Sequence, residues 1–219
     1  MTPQDRILDA AMAVFRRQGF RRSSIEQAAE AAGLTRQALY HHFKSKEALF
    51  RAVIERVYEA ALAAETAAVE AAERAGGSLA DIIVAGVSGR LRYLLTSFDG
   101  SPHIEELFSE HLLQARDLYQ KYSGRYSAQA VATIERVCRK QRLALAGGLS
   151  SRDVARCIDM AIHGTKSAYP GMQPADAYLG DLAVMLRTLV AGAVAPSTTP
   201  RQAKPAAAKK SARKPGDRK

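Results

Sequence analysis

Cysteine is scarce in this 219-residue sequence, and tryptophan is absent. The two cysteines, Cys138 and Cys157, have no Cys-x-x-Cys or histidine partner at the spacing of zinc ligands. We therefore expect neither a disulfide framework nor a metal site, and a reducing cytoplasm fits this composition. Inert packing is the default for both thiols, and a redox pair is the alternative if their helices touch.

Long apolar runs are also missing. No stretch approaches the roughly 18 to 20 uninterrupted apolar residues of a membrane span. The N-terminal residues MTPQDRILDA lack the basic-then-apolar order of a signal peptide. We expect a soluble, cytoplasmic protein with no membrane partner. Its 47% of hydrophobic residues are enough to form a core without stabilisation by disulfides or metal ions.

The net charge of +10 lies at the two ends of the chain. Residues 1–50 carry +3, residues 51–195 are neutral, and residues 196–219 carry +7. Because nucleic acids attract basic surfaces, the ends are better candidates for a phosphate contact than the middle. The chain is thus expected to have three parts: a helix-turn-helix domain (1–47), a helical ligand-binding and dimerisation domain (48–195) and a disordered basic tail (196–219).

The pattern of apolar residues is helical nearly throughout and predicts an all-α fold. Three short helices should be followed by a long fourth helix, which ends at about Arg74 and joins two domains. Later helices are expected over 78–97, 102–119 with a possible break, 126–145, 151–168 and 174–194. In the N-terminal part, Ser23 and Glu26 have the spacing of a capping box, and Thr35 should cap the third helix.

The stretch GLTRQALYHHF, residues 33–43, indicates the turn and second helix of a helix-turn-helix. Leu34, Leu39 and Phe43 would seat this helix on its neighbours. The side chains that point elsewhere suit DNA, because Arg36 can bond a guanine edge, Gln37 an adenine edge, and Ala38 allows close approach. Residues that suit phosphate oxygens are Ser23 or Ser24, Thr35, Tyr40, His41 or His42, and Lys46. Adjacent histidines project apart on a helix, so metal binding by His41 and His42 is not expected.

The stretch GFRRSSIEQAAEAAGLTRQALYHHFKSKEALF resembles the DNA-binding region of the TetR/AcrR family of bacterial transcriptional regulators. The features that carry the resemblance are Gly19-Phe20, Ser23-Ser24, Ala31-Ala32-Gly33, Leu39-Tyr40, Phe43, Lys46-Glu47 and Leu49. The resemblance implies phosphate contacts from Ser24, Tyr40, His41 and Lys46, and base reading by Arg36, Gln37 and Ala38. Gln37-Ala38 replaces the commoner Gly-Thr or Gly-Ser pair and implies a distinct operator preference.

The resemblance also implies a homodimer formed by the last two helices. The earlier of these helices has small residues on one face, and the last helix has leucines spaced three and four residues apart. The interface candidates are Ala161, Gly164, Ala168, Leu179, Leu182, Leu186 and Leu189. The alternative is that both stripes are buried within their own subunit.

An effector pocket is expected among the helices over 78–169. The polar and aromatic candidates are His103, His111, Arg116, Tyr119, Tyr122, Tyr126, His163 and Tyr169. No cofactor and no enzymatic activity are expected, because Glu105-Glu106 has no nucleophile or phosphate loop beside it and suits a solvated face.

The leading function is a homodimeric repressor that binds a double-stranded, palindromic operator and is released by an unknown small-molecule effector. Two alternatives are an architectural DNA binder that uses the basic tail and a helical enzyme or carrier.

Overall fold

The computed structural model describes residues 2–98 and 100–196. Its α-helices are α1 (Pro3–Arg22), α2 (Ile25–Ala31), α3 (Arg36–His42), α4 (Lys46–Arg74), α5 (Leu79–Ser97), α6 (Ile104–Gln114), α7 (Arg116–Gln141), α8 (Ser151–Ala168) and α9 (Ala175–Ala193). The all-α prediction is confirmed. None of these helices is both long enough and apolar enough to cross a membrane.

The start of α2 lies one residue beyond the expected position. Ser24 caps the helix, and it forms a reciprocal capping box with Gln27 instead of the expected one between Ser23 and Glu26. The physical reason is that the Ser23 hydroxyl is occupied, since it donates to the carbonyl of Phe20 at 2.7 Å.

A glycine turn joins α2 to α3, as the sequence predicts. Gly33 has φ +67°, a conformation that glycine adopts without a steric penalty. After the turn, the Thr35 hydroxyl accepts a hydrogen bond from the amide of Ala38 at 3.1 Å and caps α3.

Helix α7 is longer than predicted. The sequence predicts a helix over 102–119 with a possible break and the next helix over 126–145. In the structure α6 ends at Gln114, and α7 runs without interruption from Arg116 to Gln141. The break lies at Ala115, whose φ of −138° is not helical. Gly124 lies inside α7 without interrupting it, because a helical glycine costs only about 1 kcal/mol relative to alanine.

A short antiparallel ladder joins β1 (Leu143–Leu145) to β2 (Val194–Pro196). The sequence contains no strand signal here, because three residues are too few to show an alternating pattern. Pro196 pairs with Leu143, so this ladder includes the first residue of the expected tail. The remaining tail residues, 197–219, lie outside the described part of the chain.

The buried apolar residues form two clusters, and the first contains residues from both predicted domains. It contains the core of α1 to α3 and the first half of α4, and it continues into α6 and the start of α7 through Leu107, Ala115 and Leu118. The second cluster fills the bundle of α5, α7, α8 and α9. Helix α6 is therefore packed against the N-terminal helices as part of the same core.

Candidate DNA-binding surface and ligand cavity

Helix α3 is held by its apolar side and presents its polar side to solvent. Leu39 is fully buried and Phe43 is nearly so, whereas Gln37 and His41 are exposed. The two anchors are four residues apart and lie on one face of the helix. This packing leaves the opposite face available for the major groove of DNA.

Arg36 already has partners within the protein. Its Nε lies 2.8 Å from Oε1 of Glu26 on α2, and its guanidinium lies 5.4 Å from the centre of the Tyr40 ring. Both charged groups of the ion pair are well exposed, so water screens their attraction and the pair is weak. Arg36 can leave Glu26 for a base at little cost.

Most of the predicted phosphate contacts lie on the same exposed side. His41 and His42 are exposed, and Tyr40 is half-buried. The hydroxyls of Ser24 and Thr35 cap their helices, and each retains its own O–H as a donor. These five residues remain candidates for positioning the domain on DNA.

Two of the predicted phosphate contacts have hydrogen-bond partners within the protein. Ser23 is only 4% exposed, and its hydroxyl points inward to Phe20. The ammonium of Lys46 donates to the carbonyls of Phe20 (3.0 Å), Arg21 (3.4 Å) and Ser23 (3.1 Å). Lys46 therefore closes the C-terminus of α1, where a cation also interacts favourably with the helix dipole.

A cavity opens among helices α4 to α9, with about 930 Å³ of space including its mouth. Four of the eight predicted pocket residues line it: His111, Tyr119, Tyr126 and His163. Helix α4 contributes Ile54, Val57 and Tyr58, which the sequence did not indicate because they belong to an ordinary apolar stripe. Its mostly apolar lining with a few polar groups is that of a small-molecule site.

The other four predicted pocket residues point elsewhere. Arg116 is exposed at the start of α7, and His103 precedes α6 beside Glu106. The hydroxyl of Tyr122 donates to Glu59, and that of Tyr169 donates to Asp181. None of the four lines the cavity, and helical spacing alone could not tell the two groups apart.

A hydrogen bond across the cavity wall connects α4 to α6. The Tyr58 hydroxyl lies 2.8 Å from Nε2 of His111, and Nδ1 of His111 lies 2.8 Å from the carbonyl of Phe108. Because a carbonyl can only accept, Nδ1 carries the proton, and Nε2 accepts from Tyr58. Burial lowers the pKa of His111 and favours this neutral form.

Three further cavity residues could not be identified from the sequence: Arg90, Lys166 and Tyr178. Arg90 is buried and donates from Nη1 to Oε2 of Glu65 at 3.0 Å. Burial raises the pKa of Glu65, and Arg90 opposes that rise. Only the tertiary fold brings these helix-borne side chains to one cavity.

A second connection joins α6 to the end of α1. Nε of Arg21 lies 2.8 Å from Oε1 of Glu110, and the Arg21 amide donates to Oε1 of Glu106 at 2.8 Å. Only Glu105 points to solvent, so the solvated face expected for Glu105-Glu106 is wrong for Glu106. The N-terminal helices are thus bonded to a helix of the cavity wall.

The comparisons with known proteins identify the N-terminal part. Residues 7–53 match the family model described as "Bacterial regulatory proteins, tetR family". The chain belongs to the TetR/AcrR family. It is accordingly a DNA-binding transcriptional regulator.

One relative extends the match well beyond the N-terminal helices, and another matches over a short stretch. The chain is 26% identical to the HTH-type transcriptional repressor Rv1474c of Mycobacterium tuberculosis over 159 residues, which is 72% of this chain and 77% of that protein. It is 43% identical to the HTH-type transcriptional regulator UidR of Escherichia coli over 58 residues, which is 26% of this chain and only 30% of UidR.

A solved structure shares the fold over nearly the whole length. SmeT, the repressor of the Stenotrophomonas maltophilia multidrug efflux pump SmeDEF, superposes with a TM-score of 0.59 at 20% identity. The match covers 90% of this chain and 95% of SmeT. The helical domain that carries the cavity is therefore part of the fold shared with SmeT.

The exposed apolar face of α8 and α9 is not the face that was predicted for the dimer interface. Ala161, Leu179, Leu182 and Leu186 are buried within their own subunit, and Leu189 packs against the same cluster, so the leucine stripe is core. Gly164 and Ala168 are exposed. The opposite side carries Met160 and Val184, each 65% exposed, and Met185. These helices have two apolar stripes, and spacing alone cannot show which is buried in the core of the subunit and which is exposed.

The two cysteines are free thiols. Cys138 is partly buried, and burial raises the pKa of its thiol. Cys157 is exposed one turn before Met160 on α8.

Proposed function

We propose that the chain is a homodimeric repressor, which binds a palindromic operator in the major groove and is released by a small molecule in the cavity. One observation carries this proposal: α4 borders the cavity through Ile54, Val57 and Tyr58, while its N-terminal end packs in the same core as recognition helix α3. A ligand that displaces α4 would therefore move α3.

Base reading falls to the exposed face of α3. Arg36 and Gln37 are exposed and Ala38 is half-buried in the first turn, the part of a recognition helix that contacts base edges. Ser24, Thr35, Tyr40, His41 and His42 would hold the phosphates on either side. One short helix reads only a few base pairs, so a useful specificity needs two copies about 34 to 36 Å apart.

The dimer interface is proposed on the exposed apolar side of α8 and α9, and not on the predicted leucine stripe. Met160, Val184 and Met185 are large apolar residues that a monomer gains nothing by exposing. Gly164 and Gly180 have open space around the position of a Cβ atom, so a partner helix can approach closely.

Effector release would use the two connections of α6. The Tyr58–His111 hydrogen bond joins α6 to α4, and the Arg21–Glu110 ion pair joins it to α1. A ligand that separates the walls of the cavity shifts α6 and α4 together and changes the spacing of the recognition helices. Release requires only that the ligand bind the shifted dimer more tightly than the DNA-bound one.

The proposal is tested by selecting genomic DNA fragments on the full chain and measuring affinity for the selected site and for a scrambled site. We expect an inverted repeat, and we expect Arg36→Ala with Gln37→Ala to lower the ratio of the two affinities at least tenfold. The matched control is Arg139→Ala, which removes one exposed positive charge from α7 and should leave the ratio unchanged. Sequence-indifferent binding that survives the double substitution would instead favour an architectural DNA binder.

A further inference from the structure

The hydroxyl of Tyr178 is the exception among the tyrosines that line the cavity. Tyr58 bonds His111, Tyr119 bonds His163, and the hydroxyl of Tyr126 donates to a backbone carbonyl. Tyr178 is 0% exposed, and its hydroxyl has no hydrogen-bond partner within residues 2–98 and 100–196. A buried hydroxyl of this kind is normally satisfied. One residue that lines the cavity therefore has a buried donor that lacks its acceptor.

Arg90 supplies further donors near Tyr178. A guanidinium has five N–H groups, and in the described part of the chain one hydrogen bond is formed, from Nη1 to Glu65. The guanidinium stacks on the ring of Tyr126 at 4.2 Å from the ring centre, which fixes its plane. Arg90 and Tyr178 both line the cavity. Burial raises the pKa of Tyr178 to about 12, so the phenol stays protonated, and the charge of Arg90 opposes this rise.

The charges that face the cavity favour an anion. They are the buried cation Arg90, the exposed cation Lys166 and the carboxylate of Asp159, which is more than half exposed. Glu65 lies behind Arg90 and does not line this cavity. No carboxylate of the described residues forms an ion pair with Lys166, whose ammonium lies 5.8 Å from the centre of the Phe108 ring. Burial lowers the pKa of His111 and keeps this imidazole neutral, and Nε2 of His163 accepts from the Tyr119 hydroxyl.

The rest of the lining is apolar. Leu91, Leu94, Phe98, Leu107, Phe108 and Ile162 supply aliphatic and aromatic surface on several sides. A wholly polar ligand would leave this apolar surface in contact with water, and a wholly apolar ligand would leave the Tyr178 hydroxyl without an acceptor.

We propose that the cavity binds an amphipathic monocarboxylic acid as its carboxylate, with the acid oxygens at the Tyr178 hydroxyl and Arg90 and with Lys166 balancing the charge. The hydrocarbon part lies against the apolar side chains. This inference deepens the proposed function by naming the chemical class of its effector, and it rests on that function only for the effect of the ligand on DNA.

The test is calorimetric titration of the full chain, without DNA, with three probes of equal chain length: octanoate, octan-1-ol and octylamine. We expect octanoate to bind at least tenfold more tightly than either of the others. Equal or tighter binding of octylamine or octan-1-ol would overturn the proposal, and so would the absence of octanoate binding.

Matched variants assign the binding to the named groups. Tyr178→Phe removes one hydroxyl and keeps the ring, so the fold should persist, and we expect octanoate affinity to fall about five- to tenfold. Tyr169→Phe is the control, because its hydroxyl faces Asp181 outside the cavity, and it should bind octanoate like the unaltered protein. Lys166→Gln should weaken octanoate about tenfold and leave octan-1-ol unchanged. An unaltered octanoate affinity in both Tyr178→Phe and Lys166→Gln contradicts the assignment.

Adding operator DNA separates this inference from the proposed function. Octanoate that binds as expected but leaves DNA bound would contradict release by an effector and leave the ligand class standing. Release of DNA by octylamine but not by octanoate would contradict the ligand class and support release.

Discussion

The hydroxyl of Tyr58 and Nε2 of His111 are 2.8 Å apart, and this contact joins the helix that leads to the DNA-binding domain to the helix that closes the cavity. Both residues are buried, and the Tyr58 ring also stacks on Tyr122 at 4.9 Å between ring centres. The hydrogen bond can therefore be removed without removing the packing.

Tyr58→Phe should reduce the free energy of unfolding by about 1 to 3 kcal/mol, because Nε2 of His111 would remain buried without a donor. The control is Tyr122→Phe, which also removes one hydroxyl, but from a bond to the part-exposed Glu59, where water can replace the lost donor. Urea denaturation of both variants measures the difference. If Tyr122→Phe reduces the free energy of unfolding as much as Tyr58→Phe does, the α4–α6 hydrogen bond contributes no more to stability than the exposed one.

Stability should fall as the pH drops from 7.5 to 5.5, because His111 is buried as the neutral imidazole. Burial lowers its pKa in the folded state below the ordinary value of 6.5. The unfolded chain therefore takes up the proton first, and the contribution to stability is intact above about pH 6.5 and is lost below it.

His111→Gln isolates this effect, because Glu65 and the other titrating groups remain in both proteins. The variant should be less stable throughout and should lose less stability between pH 7.5 and 5.5 than the unaltered chain. Denaturant melts at four pH values across this window provide the comparison. Parallel profiles for the two proteins would show that another group controls the acid response.

Gly19 near the C-terminal end of α1 should not tolerate alanine. Its φ is +78°, and a Cβ atom there would lie 2.6 Å from Oε2 of Glu106. The other oxygen of this carboxylate, Oε1, accepts from the Arg21 amide. We expect Gly19→Ala to cost at least about 1 kcal/mol of stability and to weaken operator binding, because the α1–α6 contact must open.

Gly124→Ala is the matched control for that substitution. Gly124 lies within α7, and no atom stands within 4 Å of the position of its Cβ. Alanine should therefore stabilise the helix by about 0.5 to 1 kcal/mol. Thermal melts of both variants test the pair, and equal effects would contradict the close contact at Gly19.

Much of the helical framework could be predicted because local chemistry determines it. Helix α8 occupies Ser151–Ala168, as expected over 151–168, since Ser150 and Asp153 form a capping box at its start. The turn at Gly33 and the cap at Thr35 are equally local. A break within 102–119 was expected, but no local signal fixes it at Ala115, so the predicted start of the next helix lies ten residues after the observed start of α7.

The sites were harder to predict because they depend on which face of a helix meets which neighbour. Helix α9 has Leu182 on one side and Val184 on the other, and both are compatible with helical spacing. Only packing shows that Leu182 is core and Val184 is exposed. Tyr178 likewise becomes notable only once its neighbours are known to provide no hydrogen-bond partner.

Val184→Glu should convert the proposed dimer to a folded monomer, because it places a charge in the centre of an apolar contact while the side chain is exposed in the single subunit. Light scattering coupled to size exclusion gives the mass, and circular dichroism checks the fold. The contrasting variant is Leu182→Ala, which should cost about 2 to 5 kcal/mol of stability by creating a cavity. An unchanged dimer mass in Val184→Glu would place the interface elsewhere.

Removal of residues 197–219 should weaken binding to non-operator DNA and make it less salt-dependent. The removed segment carries eight of the basic residues and one acidic residue, for a net charge of +7. Each phosphate that a basic residue neutralises adds about 0.9 to the slope of log affinity against log salt. Truncation after Pro196 keeps the β1–β2 ladder intact, so the bundle is preserved. Replacing the eight basic residues by glutamine in the full-length chain serves as the control for length. If the salt slope stays the same in both variants, the tail does not contact DNA.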